Sequence, residues 1–229
     1  MLRNEALVAL EVRVLSRACW LRRDMLEALA DVNHRCLVLF AEQALAAGPQ
    51  ASPALRQVGE LWRALDERSR WQVAACPYLL VDACFGDPQR WRWLSGTRVA
   101  DAAGGPGTSF FTVPQTAAVA RTVFVYAWSL LVSHPDGARL VLGIHPQCAS
   151  LLGACTVPQV HELAERHAGW LRPRWLKRLR LWRQLLLAAA QEDGAALERS
   201  RMQGLQMLAA EAWEGEQSRQ RICLAAAGA

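Results

Sequence analysis

The sequence predicts an all-α protein. Apolar residues recur at three- and four-residue spacing in every segment outside one short Gly/Pro-rich stretch, and no alternating strand run of useful length appears. With 229 residues, 52% of them hydrophobic and 21% charged, the chain can bury a sizeable core and does not have a disordered composition.

From Ala6 to Ala46 the apolar positions Leu7, Leu10, Val14 and Leu15, then Met25, Leu29, Val32, Cys36, Leu37 and Phe40, keep the amphipathic helical period. Gly48 and Pro49 stop that helix. Ser52 is placed to cap a second helix with Pro53 at its first position, and Leu55, Val58, Leu61, Trp62 and Leu65 form its apolar face. In "CPYLLVDACFGDPQRWRWL", Pro77 and Asp87-Pro88 frame a short apolar helix or turn, with Trp71, Trp91 and Trp93 as core and edge packing.

"RVADAAGGPGTSFFTVPQ" reads as a boundary, because three glycines and a proline within four residues hold neither helix nor strand. The expected organisation is an N-terminal helical domain over 1–100, a linker over 101–115, a second helical unit over 116–191, and a C-terminal helix and tail over 192–229. Thr116 to Ser133 reads as one helix apolar on more than one side, and its Val123, Phe124, Ala127, Leu130 and Leu131 are candidates to meet a helical partner or a second copy. Pro146 opens a short helix with Cys148, Leu151, Leu152 and Cys155 on one stripe. Thr156 and Gln159 then stand in the N-cap and N3 places of a capping box, so a second helix with Val157, Val160, Leu163 and Ala164 on its apolar face follows, and Gly169 stops it. The pair makes a helix-turn-helix.

Charge is distributed unevenly. Of the net +5, the segment 166–191 supplies seven basic residues and no carboxylate, against 13 basic and 12 acidic groups in 1–101. After Pro173 a helix is expected to put Trp175, Leu179, Trp182, Leu185 and Leu186 on an apolar face. Arg172, Arg174, Lys177, Arg178, Arg180 and Arg183 are then the candidate DNA-binding residues, because clustered cations without carboxylates supply sequence-independent affinity for phosphates. An acidic protein or an anionic membrane surface ranks behind DNA as the partner of such a helix.

Other classes find less support in the residues. Charges at Arg3, Glu5, Glu11, Arg13 and Arg17 argue against a signal peptide, and no uncharged run that is also continuously apolar approaches the roughly 18 residues of a membrane span. Seven cysteines in no paired pattern suit reduced thiols and a cytoplasmic location. His145, Cys148, Cys155 and His161 loosely suggest a Cys2His2 zinc set, but cysteines on a helical stripe are more often small core residues, so no metal and no cofactor is expected. "HELAERH" has Glu165 where a metalloprotease helix needs histidine, and no nucleophile elbow or phosphate-binding glycine loop occurs. The chain is therefore not expected to be an enzyme.

"LGIHPQCASLLGACTVPQVHELAER", preceded by "VFVYAWSLLVSHPDGARLV", resembles the central part of the flagellar transcriptional regulator D subunit (FlhD) family, over residues 119–166. The resemblance is carried by the Leu142-Gly143-Ile144 turn, the small-residue helix after it, and Thr156-x-Pro158-Gln159-x3-Leu163-Ala164-Glu165. It implies a helical protein that dimerises and binds promoter DNA with a partner subunit. The expected function is thus a non-enzymatic transcriptional co-regulator similar to FlhD, and the rival is a helical adaptor or chaperone-like scaffold that binds only proteins. The cysteine stripe gives a first prediction: purified protein holds no stoichiometric zinc by elemental analysis and keeps its melting temperature in a chelator, whereas one zinc per chain would place Cys148 and Cys155 in a metal site instead.

Overall fold

The computed structural model describes residues 23–47, 53–91 and 109–227, with the side chains of the last helix described as far as Ala212. Ten α-helices dominate these residues: α1 (Arg23–Ala46), α2 (Pro53–Ala64), α3 (Glu67–Ala74), α4 (Pro88–Trp91), α5 (Thr116–Ser133), α6 (Pro135–Leu142), α7 (Pro146–Gly153), α8 (Val157–Arg166), α9 (Leu179–Ala190) and α10 (Gly194–Ala227). A 3-10 turn covers Ala168–Trp170, and two two-residue strands, β1 (Val81–Asp82) and β2 (Arg172–Pro173), pair antiparallel with Val81 opposite Pro173. The all-α expectation holds. Leu7, Leu10, Val14, Leu15, Gly48, Pro49, Ser52 and Trp93 lie outside the described residues.

Packing proceeds in layers. α9 lies between α10 and the α2–α3 pair; α2 and α3 pack on α1; α1 packs on α5; and α5 carries α6, α7 and α8 on its remaining buried sides. Phe40 of α1, Trp62 of α2, Phe111 and Trp182 of α9 meet ring to ring at centroid distances of 5.0 to 5.6 Å. That cluster sets how α9 is rotated, since Trp182 is buried among these rings.

Two expectations about organisation are corrected. Buried residues from before and after the expected linker form one continuous core, from Met25 to Leu208, so the Gly/Pro stretch does not separate two cores. Its last residues, 109–115, are themselves packed: Phe111 is buried against Phe40, and the Thr112 N–H donates to Gln43 Oε1 at 2.7 Å. A glycine-rich sequence says nothing about the aromatic pair that follows it, and burying Phe111, with Phe110 half-buried beside it, outweighs leaving the pair in solvent.

The segment after α3 is the second correction. Residues 76–85 form no short helix; they run irregularly through the core, extended at Val81–Asp82 and turning at 85–86, with Tyr78, Leu79, Leu80, Val81, Ala83, Cys84 and Phe85 all buried. A buried irregular segment cannot satisfy its own peptide groups, so other elements must supply partners. Asn33, fully buried in α1, donates from its amide to the carbonyls of Tyr78 at 2.9 Å, Ala74 at 3.1 Å and, more weakly, Cys76 at 3.4 Å. Its Oδ1 accepts from the Leu80 N–H at 2.9 Å. The Leu79 N–H donates to the Val141 carbonyl at 3.0 Å, and the Phe85 carbonyl accepts from the His145 N–H at 2.9 Å. On the far side α10 closes over the segment at Gly204, where a β-carbon would overlap the Tyr78 hydroxyl.

Replacing Asn33 with leucine keeps the bulk but orphans buried carbonyls and one N–H. Asn33→Leu is expected to lower stability by roughly 3 kcal/mol or more, read as a fall in the urea midpoint at unchanged slope. A midpoint equal to that of the parent would show that the segment is held by side-chain packing alone.

Candidate nucleic-acid interface

The basic segment does not form one helix after Pro173. Arg172 and Pro173 are strand β2, residues 174–178 make a turn with Trp175 at φ +52°, and the helix begins only at Leu179. Proline fits the strand because its partner Val81 needs no N–H from it, and the Arg174 N–H then donates to the Leu80 carbonyl at 2.9 Å. Trp175 therefore leaves the expected helical face, and its indole N–H donates to Glu211 of α10 at 2.8 Å.

The six candidate cations separate into three groups. Arg174 is 5% exposed and does not face solvent at all. Its Nε donates to the Leu79 carbonyl at 3.0 Å, and its Nη2 donates to the carbonyls of Val81, at 3.2 Å, and Leu142. Leu142 ends α6, so the guanidinium sits at the negative end of that helix. Gly143 permits the approach. It caps α6 at φ +56°, and a β-carbon there would stand 2.7 Å from Arg174 Nη1 and 2.7 Å from a Leu208 methyl. Burial pulls the Arg174 pKa below the usual arginine value, with Asp82 and Glu211 opposing that shift. Arg174 is thus corrected from a phosphate contact to an internal clamp on the same buried segment that Asn33 holds.

Arg172 is exposed but engaged, pairing with Asp82 through Nη2 at 2.9 Å and Nε at 3.1 Å across the β1–β2 pair. Burial works against its charge, and Asp82 more than offsets that, so its pKa rises. The remaining four, Lys177, Arg178, Arg180 and Arg183, are all exposed, and none has an ion-pair partner among the described residues. Leu181, Trp182, Leu185 and Leu186 bury the opposite face of α9, and no acidic residue stands in its first turn. Cations on the turn and on the first turn of the helix therefore meet solvent together, beside the positive end of the helix.

The helix pair α7–α8 forms as the sequence predicts, with Gln159 Oε1 accepting from the Thr156 N–H at 2.8 Å in a capping box. Cys148 and Leu152 are buried, whereas Cys155 lies past the end of α7, half-buried, with its thiol donating to the Leu151 carbonyl. Burial pushes the Cys148 thiol up to about 12. Among the described residues no three His, Cys, Asp or Glu side chains converge where a metal ion could sit. The outer side of α8 is not basic: Glu162 pairs with Arg166 at 2.7 Å and Glu165 with Arg121 at 2.8 Å. Nor is α8 a principal packing partner of α9, because its main packing runs through α5, α1 and the α2–α3 pair before reaching α9.

The partner-binding candidates are corrected as well. Val123, Phe124 and Ala127 are fully buried, Leu130 is 3% exposed and Leu131 is 7% exposed, all within this chain's own core. α5 is apolar enough on more than one side because α1, α6, α7 and α8 each cover part of it. By length and composition alone α5 could cross a membrane, yet its apolar stripe is spent on these neighbours.

Asn33 is a residue that the sequence reading passed over, and Arg174 is one to which it gave a different role. A polar residue on the otherwise apolar face of Leu29, Val32, Cys36 and Leu37 was the available signal for Asn33. Nothing local distinguishes Arg174 from its basic neighbours, because its partners lie 32 to 95 residues away.

The geometry defines an all-α protein with one core and a small, unneutralised basic face. No protein-family model matches the chain, nor does any curated protein or any solved structure. Arg174→Met should leave three buried carbonyls unsatisfied and cost roughly 3 kcal/mol or more, while Arg180→Met should change stability by about 0.5 kcal/mol or less. Thermal melts of the two variants check this, and equal melts would contradict the assignment of Arg174 to the interior.

Proposed function

We propose that this chain is a non-enzymatic, DNA-binding transcriptional co-regulator acting in the cytoplasm, which holds the phosphate backbone on Lys177, Arg178, Arg180 and Arg183. The observation that carries the reading is the exposure of these four cations with no carboxylate partner among the described residues. Arg68, Arg90 and Arg121 are paired with acids on neighbouring turns or helices, and Arg35, Arg56 and Arg63, exposed without such a partner among the described residues, do not come four together within seven residues as these cations do. A patch of four charges gives modest, sequence-independent affinity. Selection of a promoter therefore falls to a partner subunit, as the likeness to the FlhD family implies. The α7–α8 pair serves this function as a helix-turn-helix only if the partner or the DNA reaches round to it.

The rival reading, a helical adaptor that binds only proteins, is favoured by exposed apolar side chains away from the basic turn, Leu45, Val132 and Val157. One titration separates the two. Duplex DNA should bind at low salt, with affinity falling steeply as salt rises. A quadruple variant with Lys177, Arg178, Arg180 and Arg183 changed to Glu should lose binding while keeping the parent melt, and each single change to Met should lower the log–log salt slope by about 0.9. Arg174 is left intact because its loss would unfold the protein. If neither the chain alone nor the chain with a co-purifying protein binds DNA, or the quadruple variant binds as well as the parent, the adaptor reading replaces this one.

A further inference from the structure

α10 crosses the end of α6 at the turn that leads into α7. Contact is closest at Gly143, where a β-carbon would stand 2.7 Å from a Leu208 methyl. Beside that contact α6, α10 and the first turn of α7 border a cavity of 440 Å³, a volume in the range of small-molecule sites. Its floor is apolar. Ile144 and Leu208 are buried there, and Leu140 and Pro146 are half-buried. The peptide groups of the turn are already used within it, since the Gly143 N–H donates to the Leu140 carbonyl and the Ile144 N–H to the Arg139 carbonyl, each at 3.3 Å. An occupant of this floor therefore gains by burying an apolar body against it.

The rim, by contrast, carries charge of both signs. Asp136 and Arg139 lie one turn apart on the face of α6 that lines the cavity, and Glu211 lines it from α10; all three are exposed. Asp136 makes no ion pair among the described residues, so it and Arg139 stand side by side without bonding to each other. Glu211 accepts from the Trp175 indole through Oε1 at 2.8 Å, and a carboxylate has room for further donors. Arg139 has a contact of its own, but a guanidinium carries five N–H donors. A ligand with a single charge would meet like charge somewhere on this rim. One that carries an ammonium and a carboxylate on neighbouring atoms complements both signs at once.

We infer that this cavity binds a zwitterion with a large apolar side chain, the chemistry of an aromatic or long aliphatic α-amino acid. The ammonium donates to the carboxylates of Asp136 and Glu211, the ligand's carboxylate accepts from Arg139, and the side chain lies on Leu140, Ile144 and Leu208. None of these groups belongs to the basic face of Lys177, Arg178, Arg180 and Arg183, and binding here is independent of DNA.

Isothermal calorimetry on the full chain tests this with L-phenylalanine as the probe. Its two one-headed analogues, 2-phenylethylamine and 3-phenylpropionate, and glycine, which lacks the side chain, are titrated beside it. L-Phenylalanine should bind with a dissociation constant of about 1 mM or tighter, and each of the other three about tenfold or more weaker. Asp136→Asn and Arg139→Met should each weaken L-phenylalanine about tenfold, since each removes one charged contact. Ala212→Trp, which fills the cavity from the exposed side of α10, should abolish binding while the circular dichroism melt stays near that of the parent. A second readout is the Trp175 indole N–H resonance, assigned by Trp175→Phe. It should shift as the probe is added, because Glu211 on the cavity wall is its acceptor. Absence of both heat and shift up to about 10 mM probe overturns the inference. So does a one-headed analogue that binds as tightly as L-phenylalanine, a probe indifferent to both charge variants, or an A212W variant that binds as well as the parent.

Discussion

The rest of the molecule is arranged around one buried, largely irregular stretch of backbone. Residues 76–85 lie in the core, and only Val81 and Asp82 find a strand partner, the two residues of β2. Two polar side chains do the work that flanking strands would do. Asn33 reaches from α1 to three carbonyls and one N–H, and Arg174 reaches from the turn before α9 to Leu79, Val81 and the end of α6. An arginine suits the second role because its planar fork presents several donors in fixed directions and keeps its charge under desolvation. The negative end of α6 supplies the compensation that a carboxylate would otherwise provide.

The position of the basic face follows from this constraint. Once Arg174 is drawn inward, the chain must turn before a helix can begin, and Trp182 then buries among Phe40, Trp62 and Phe111 with its indole N–H on the Arg174 carbonyl at 2.7 Å. Burying Trp182, Leu185 and Leu186 leaves Arg180 and Arg183 on the opposite side. Sequestering one arginine of the cluster thus orients the others.

Much of the fold was legible where the signal is local. The bounds of α5, the first residues of α2 and α7, and the capping box of α8 follow from periodicity, proline at the first helical position and Thr156–Gln159, each of which acts within a few residues. What was not legible depends on distant partners. The apolar run at 76–85 carries no period that separates strand from helix, and its irregular form is decided by Asn33 and Arg174 far along the chain. The same limitation divided the candidate site: four of six cations stand exposed with no ion-pair partner among the described residues, one is paired with Asp82, and one is interior. The apolar positions read on α5 as a partner surface were real apolar positions, but the chain's own helices claim them.

The Tyr78–Gly204 approach bears on how the chain is made. Synthesis proceeds from the N terminus, and short-range helices can form as each emerges. The buried stretch, however, is completed by groups at positions 33, 142, 174 and 204, so its peptide groups remain unsatisfied until most of the polypeptide has left the ribosome. Closure is therefore a late, long-loop event, with the entropy cost and slow rate that distant contacts carry. Until α10 arrives with the glycine that fits against Tyr78, a nascent chain exposes this apolar stretch to other strand-competent segments.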